Sequence, residues 1–502
     1  MTSRAAHNDS HSSGASGSSG LRADISEVWA QAWPTIVAML SYTLMQFIDS
    51  LMVSVLGPLE VAAQGNGGIW TWAPISAAFG VLGLVNTLVA QRVGAGRRDE
   101  IARYGWAGLW ISLGYWLLVL VPFALVIQHA FEAMGHEPTL VGLETSYARV
   151  LLGGACVTLA AKALSNFFFG LQQPKVVTVA AITGNVVNVL ANYVFIYGER
   201  GLPEFGLPGI PGMPSLGVTG AAIGTLIGTF AECCIPLAVF LSRRLDRDYG
   251  IRHAWRPDRA AIVDTIRLGW PAGLQFANEM VCWAIFMTVL AGGFGSEHMT
   301  AGWAAMRFVH ISFMPAVGLS TAATSLVGKH IGEGKLNAAA RSAHISVAMA
   351  VVWMGACALC FIVFRNELTA VFIDGDTPTD SAARIRAIGS GIFICASVFQ
   401  LLDAVGIVYT GALRGAGDTL FPGVATVVLS WAVVVGGGIV MTRAFPELES
   451  VGPWIAATVY IVALGIVVAA RFERGGWRRL HLLGDASAES AKSAISDPSN
   501  RG

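Results

Sequence analysis

Residues 38–57 read AMLSYTLMQFIDSLMVSVLG, an almost unbroken apolar stretch with one carboxylate, Asp49, inside it. About 20 apolar residues are enough for a helix to cross a hydrocarbon core. A charged side chain in such a helix costs at least ~2.5–3.5 kcal/mol on insertion scales, so these residues are rare and usually functional. The pattern recurs twice: Glu279 lies in PAGLQFANEMVCWAIFMTVLAGG (271–293) and Asp403 in GIFICASVFQLLDAVGIVYTGAL (391–413). Each acid follows a glutamine by one helical turn, in the pairs Gln46–Asp49, Gln275–Glu279 and Gln400–Asp403. Spacings of three or four residues place both groups on one helix face.

The surrounding composition agrees with a chain that lives in lipid. Of 502 residues, 54% are hydrophobic and 13% charged, whereas soluble chains run at about 25% charged. Apolar runs predict about twelve spans, near 28–55, 69–91, 104–127, 149–170, 176–197, 216–241, 266–293, 303–328, 343–364, 388–412, 420–442 and 451–471. The fold class expected is an all-α polytopic membrane protein. The longest charged interior stretch, SRRLDRDYGIRHAWRPDRAAIVDTIR, separates an N-terminal six-helix lobe (25–241) from a C-terminal one (266–475), with 242–265 as the linking loop. Residues 1–24, rich in Ser, Gly and His and lacking an apolar signal core, read as a disordered tail, and 476–502 as a second tail. The seven cysteines all lie in apolar segments, and Cys357–Cys360 has no second pair, so neither zinc nor a disulfide framework is expected.

Basic residues set the orientation. Loops after even-numbered spans carry Arg92, Arg97, Arg98 and Arg103, then Lys175, then Arg243, Arg244 and Arg247, then Lys329, Lys335 and Arg341, then Arg414. Loops after odd-numbered spans carry few, apart from Arg365, Arg384 and Arg386, which are offset by Glu367, Asp374, Asp376 and Asp380. Both termini are therefore expected on the cytoplasmic side, as an even number of spans requires.

The chain also repeats. VAQRVGAGRRDEIAR (89–103) aligns with VGKHIGEGKLNAAAR (327–341) at an offset of 238 residues, matching Gly94 to Gly332, Gly96 to Gly334 and Arg103 to Arg341. The same offset carries Gly57 onto Gly295. Six spans per repeat is an even number, so the halves share orientation about an axis along the membrane normal. Transporters are commonly built this way, with the substrate site between repeats.

Other motifs carry less. GKHIGEGKL fails as a phosphate-binding loop because Leu336 stands where a hydroxyl is required, so ATP-driven pumping has no support. The GxG pairs read as helix stops. No HExxH or GxSxG motif is present, and an enzyme is not expected. A structural reading of the three acids would pair them with buried bases. Only Lys162 and Arg307, with His310 a turn further, lie within apolar segments, too few for three acids and Glu232. Glu232, with no amide a turn before it, reads as structural. Asn185, Asn188 and Asn192 cluster in the fifth span, either as interhelical glue or as part of an ion site. Pro34, Pro271, Pro315 and Gly273 suggest bent helices with freed carbonyls.

With duplicated halves and these loops, the chain resembles the multidrug and toxic compound extrusion (MATE) family, over roughly residues 25–475. The resemblance rests on FIDSLMVSVLGPLEVAA (47–63), VAQRVGAGRRDEIAR, NVVNVLANYVFIYG (185–198), LVGKHIGEGK (326–335) and TGALRGAGDTLFP (410–422). It implies a V-shaped pair of six-helix lobes in a bacterial inner membrane, exchanging organic cations or drugs for inward-moving H⁺ or Na⁺. Asp49 falls on the family's first-helix carboxylate, and Glu279 and Asp403 on the carboxylates of its NorM-like branch, where Na⁺ is a candidate ligand. Another branch places an acid in the fifth helix, where this chain has Asn192.

The residues suit that role on their own terms. A buried carboxylate needs a positive partner or a proton, and a cationic substrate, Na⁺ or H⁺ each supplies one. Asp49, Glu279 and Asp403 are thus the candidate coupling residues, supported by Gln46, Asn188, Asn192, Gln275 and Gln400. Phe276, Trp283, Phe286, Phe399 and Tyr409 are candidates for an apolar, cation–π cavity wall, against the plainer reading of helix packing. The expected partners are a small organic cation or amphiphile and the bilayer, with no cofactor beyond the coupling ion, no nucleic acid, and a monomeric state. The alternative function is a flippase for a lipid-linked or other amphiphilic metabolite, whose cavity should be lined by cations.

Overall fold

The computed structural model describes residues 13–202, 206–371, 373 and 378–480. The tail readings of residues 1–12 and 481–502, and the acids Asp374 and Asp376, lie outside them. Twelve of the described helices are long and apolar enough to cross a membrane. They are α1 (Gly20–Ser54), α2 (Pro58–Gly94), α3 (Arg98–Ala133), α4 (Pro138–Gly170), α5 (Pro174–Arg200) and α6 (Gly217–Phe240) in the first half. The second half holds α7 (Arg259–Phe294), α8 (Ser296–Gly332), α9 (Leu336–Val363), α10 (Thr379–Ala416), α11 (Leu420–Ala444) and α12 (Val451–Glu473). The protein is an all-α membrane protein of two six-helix lobes.

Both expected tails are shorter than predicted. Helix begins at Ser13, within the stretch read as disordered. Asp24 is held by Arg341 at 2.8 Å and Glu27 by Lys329 at 2.6 Å, which anchor this end of the chain to the second half. At the other end, Gly476–Arg479 forms a 3₁₀ turn that buries Trp477 on Phe472, ring centroids 5.0 Å apart.

The duplication governs the centre of the molecule. α2 and α8 are the most buried spans, each with 67% of its apolar window inside the protein, so they form the axis around which the others pack. Each opens on a glycine with positive φ, Gly57 at 143° and Gly295 at 115°. Each is followed by another, Gly96 at 70° and Gly334 at 75°, where a Cβ would be strained. These second glycines of the GxG pairs are the helix stops that the sequence predicts.

The first glycines do something else. A Cβ on Gly94 would overlap the carbonyl oxygen of Lys329, and a Cβ on Gly332 would overlap that of Gln91. Gln91 and Lys329 are themselves related by the 238-residue offset. The two central helices therefore cross backbone to backbone at the end of the bundle that carries the basic loops. In lipid, where helices gain no hydrophobic drive toward one another, small residues at such crossings supply the packing. The crossing is reinforced reciprocally. α1 leans on α8 of the opposite half and α7 on α2. Gly318 leaves room for Ile36 in the first contact, and Gly80 and Gly273 admit the backbone of Ala272 and Ala77 in the second. Gly273 thus serves close approach, not a freed carbonyl.

Ionic contacts repeat the exchange at the basic end. Glu27 and Asp24 of α1 meet Lys329 and Arg341, while Asp258 and Asp264 at the start of α7 meet Arg103 at 3.8 Å and the Tyr104 hydroxyl at 3.3 Å. Such partly exposed pairs contribute about 0–1 kcal/mol each, so they orient the crossing more than they hold it. In the loop just past α8, burial works against ionisation of the Glu333 carboxyl. Lys335, Lys329 and His330 outweigh it and hold the group below the usual carboxylate range.

If the glycine crossing closes this end, Gly94→Ala and Gly332→Ala should each destabilise the purified protein by roughly 1–3 kcal/mol, as overpacked sites do. Gly83→Ala, on the same helix with open space around it, should stay within about 0.5 kcal/mol of the parent. Thermal unfolding in detergent checks this, and equal effects at all three positions would refute it.

Candidate functional site

In the first half, Asp49 on α1 is buried against α5, whose Asn188 and Asn192 are fully buried. Asn192 Nδ2 donates to Asp49 Oδ1 at 2.6 Å and reaches Asn188 Oδ1 at 3.5 Å. The asparagines are where they are because α5 and α6 approach on glycines. A Cβ on Gly224 would overlap Asn192 Oδ1, and one on Gly228 would lie 2.5 Å from Asn188 Cβ. Asn192 ends the regular part of α5, and a π-helical turn, Tyr193–Tyr197, follows it. Such turns are frequent at functional sites. The Tyr197 hydroxyl then donates to the Met52 carbonyl at 2.6 Å, tying α1 to this face. Asn192 Oδ1 has no hydrogen-bond partner among the described residues, and the Asn188 side chain also faces Asp49.

Gln46 is not the amide that holds Asp49. It lies exposed on α1, while Asp49 turns toward α5 and takes its amide from there. The predicted i,i+3 pairing is replaced by an interhelical one.

In the second half the predicted pairing holds once. Gln275 Nε2 donates to Glu279 Oε1 at 3.1 Å on α7. Arg414, in the last turn of α10, donates from Nη2 to Gln275 Oε1 at 2.7 Å, with its guanidinium 5.2 Å from the centre of the Phe276 ring. An arginine only donates, so the orientation of the Gln275 amide is set, with its oxygen toward Arg414 and its nitrogen toward Glu279. Asp403, on α10, lies close enough to Glu279 for the two charges to repel. It makes no hydrogen bond or ion pair among the described residues. Gln400, fully buried, donates to Ser312 Oγ on α8 at 2.6 Å and does not serve Asp403. One turn after Gln275 on α7, Asn278 donates to Ser430 Oγ at 2.9 Å and accepts from the Trp431 indole at 2.8 Å. The repeat offset carries Asn192 onto Ser430, which opens a π-helical stretch, Ser430–Gly437.

Three of the five candidate wall aromatics are packing residues. Phe286 is fully buried against Trp454, ring centroids 5.0 Å apart, and Phe399 is buried in the same core. Tyr409 points to the basic end, where its hydroxyl donates to Glu473 at 2.8 Å and its ring stacks on Phe472. All three sit on helix faces turned to neighbouring helices. Phe276, beneath Arg414, and the half-buried Trp283 remain available.

The bases sort differently from expectation too. Arg307 and His310 lie on an exposed stripe of α8 and act on none of the three acids. Lys162 sits 5.0 Å from the centre of the Phe79 ring, within electrostatic reach of Glu232. Arg414 had been counted among the loop cations. α10 continues to Ala416 and stops at Gly417, φ 89°, so Arg414 is inside the helix and its long side chain reaches back along it. A fifth acid, Glu144, is fully buried and held by Asn66 at 2.7 Å and His136 at 2.8 Å. Its position six residues into α4, flanked by polar neighbours, gave no apolar run to mark it.

Fold and site together define a duplicated twelve-helix membrane protein with carboxylates and carboxamides buried in both halves. The MatE family model matches residues 34–194 and again 271–437, and the chain belongs to the MatE family. Two matches to one model, one per half, are the duplication seen in the 238-residue offset. The probable multidrug resistance protein NorM of Pseudomonas aeruginosa is 29% identical over 485 residues, covering 94% of this chain and 93% of its own. The multidrug resistance protein MdtK of Yersinia enterocolitica is 26% identical over 448 residues, covering 88% and 93%. A crystal structure of MATE in complex with MaL6 superposes with a TM-score of 0.80 at 21% identity, covering 91% of this chain and 98% of that one. MATE in its bent conformation gives 0.77, also at 21% identity, over 95% and 99%.

The glycine seat of Asn192 is testable by a double-mutant cycle. Gly224→Ala should destabilise by roughly 1–3 kcal/mol. In an Asn192→Ala background, where the overlapping amide oxygen is gone, the same change should cost less than half as much. Additive losses in thermal unfolding would show that Gly224 acts through something other than Asn192.

Proposed function

We propose that this protein is a secondary antiporter that exports organic cations from the cytoplasm in exchange for H⁺ or Na⁺. In this reading the basic end of the bundle faces the cytoplasm, as the charge placement indicates. The observation that carries it is Asp403, a carboxylate within an apolar stretch of α10 with no hydrogen bond or ion pair among the described residues and a second acid, Glu279, beside it. A carboxylate in that position is satisfied by a proton, a metal cation or an organic cation. Competition among these for one group is what couples an exporter to an ion gradient. Asp49, with an amide donor from Asn192, is the corresponding group of the first half. The names of its relatives, multidrug resistance proteins, accord with a substrate of this class.

The flippase alternative asked for a cation-lined interior. The interior does hold Lys162, within electrostatic reach of Glu232 and of Arg414, and Arg414, within reach of Glu279, but the interior acids Asp49, Glu232, Glu279 and Asp403 outnumber these two bases among the described residues. An interior with more acids than bases favours a cation over a pyrophosphate.

Reconstituted in proteoliposomes, the protein should export a lipophilic cation when a pH or Na⁺ gradient is imposed. The gradient that drives export identifies the coupling ion. Asp49→Asn, Glu279→Gln and Asp403→Asn should each reduce that export by about tenfold or more, a loss of ~1.4 kcal/mol per decade. Undiminished gradient-driven export in all three variants would sink this mechanism, and export driven by ATP would overturn the class.

A further inference from the structure

Arg414 is an unexpected resident of a site built to receive cations. It is half-buried, it approaches no carboxylate within ion-pair distance among the described residues, and its guanidinium contacts Gln275 and the Phe276 ring. Its charge reaches Glu279 through the Gln275 amide, which accepts from Arg414 on one side and donates to Glu279 on the other. Asp403 has no such relay. Arg307 and His310, the other bases of the second half within apolar sequence, act on neither acid. Among the described residues, two carboxylates and one guanidinium thus act on one another here, with Lys162, itself offset by Glu232, within electrostatic reach of Arg414.

We propose that Arg414 is a specificity-determining residue: it offsets one of the two second-half carboxylates, leaving a single negative charge, so the site takes one monovalent organic cation and discriminates against a dication. The inference rests on the antiporter reading and deepens it by naming the charge class of the substrate. A fixed internal cation is repelled by a second positive charge on the ligand, and in a site of low dielectric that repulsion is weakly screened. Arginine suits the task because its charge does not titrate in the physiological range. The selectivity would therefore be independent of whether H⁺ or Na⁺ drives transport. In the first half the ammonium of Lys162 stands within electrostatic reach of Glu232, which offsets it.

Ethidium and propidium share one ring system and differ in charge, one positive against two, so they form a matched pair of probes. Their dissociation constants would be measured by fluorescence on the purified full-length protein in detergent. The parent should prefer ethidium. Arg414→Gln, which removes the positive charge, should move the ethidium-to-propidium affinity ratio toward propidium by about tenfold. Gln275→Glu, which keeps the arginine and adds a negative charge beside it, should move the ratio the same way and serves if the arginine variant does not fold. Arg414→Lys should leave the ratio within about threefold of the parent. Unchanged ratios in the glutamine and glutamate variants would overturn the proposal, as would a lysine variant that shifts as far as the glutamine one, or a parent that binds neither probe. Failure of the antiporter reading is separate: the parent would then bind ethidium yet show no gradient-driven ethidium export from proteoliposomes.

Discussion

The crossing of α2 over α8 at Gly94 and Gly332 is the constraint on which the rest of the molecule depends. Each glycine admits the other helix's backbone carbonyl where any Cβ would collide. Because the two sites are related by the internal repeat, a single geometric requirement is met twice in one interface. Once these helices touch, the halves have no freedom to slide at the basic end. α1 must lie on α8 and α7 on α2, and the ion pair of Glu27 and the hydrogen bond that Asp264 accepts from Tyr104 follow from that placement. Helix association in lipid draws little on hydrophobic drive and leans on van der Waals fit. It is consistent that the tightest contacts here are glycine to carbonyl, and that charged pairs stay at the partly exposed rim.

The polar interior departs from the symmetry that the scaffold obeys. The repeat offset places Asn192 on Ser430, and both adjoin π-helical turns. It places Met287 opposite Asp49, however, and Ser41 opposite Glu279. The repeat preserves the local backbone irregularity while the ionisable groups have moved to different helices. In the first half the acid sits on α1 and the amides on α5. In the second the acids sit on α7 and α10, and their amide is on α7 itself. A duplicated fold thus carries two chemically distinct sites, and an argument that transfers a residue's role from one half to the other by symmetry fails for these groups.

Much of this was legible in the sequence, and for identifiable reasons. Span count followed from apolar run length, a strong one-dimensional signal. The three acids stood out because lipid makes them costly wherever they occur. Their partners did not. Helical spacing correctly paired Gln275 with Glu279, but the same rule misassigned Gln46 and Gln400: Asp49 takes its amide from Asn192, and Gln400 gives its own to Ser312, contacts that depend on how helices face one another. For Phe286, Phe399 and Tyr409 the plainer reading of packing holds, and the sequence could not choose it outright: an aromatic in an apolar helix looks alike whether it faces a lumen or a neighbour. Arg414 was missed because a basic residue beside Gly-Ala-Gly reads as the start of a loop. Only the position of the true stop, Gly417, puts it inside the helix.

Arg414 also joins the two themes, closure and charge. Its backbone carbonyl accepts from Thr87 Oγ1 of α2 at 2.9 Å, and the next carbonyl, Gly415, accepts from Gln91 Nε2 at 3.0 Å. A Cβ on Gly415 would overlap the carbonyl oxygen of Thr324 of α8, so this end of α10 is wedged between the two crossing helices. Separation of the halves at the basic end must break both bonds to α2, at a net cost of about 1 kcal/mol each where water can replace them. That is small enough for a bound cation to influence. The same turn of α10 would then be released from α2 while its guanidinium still orients Gln275 toward Glu279.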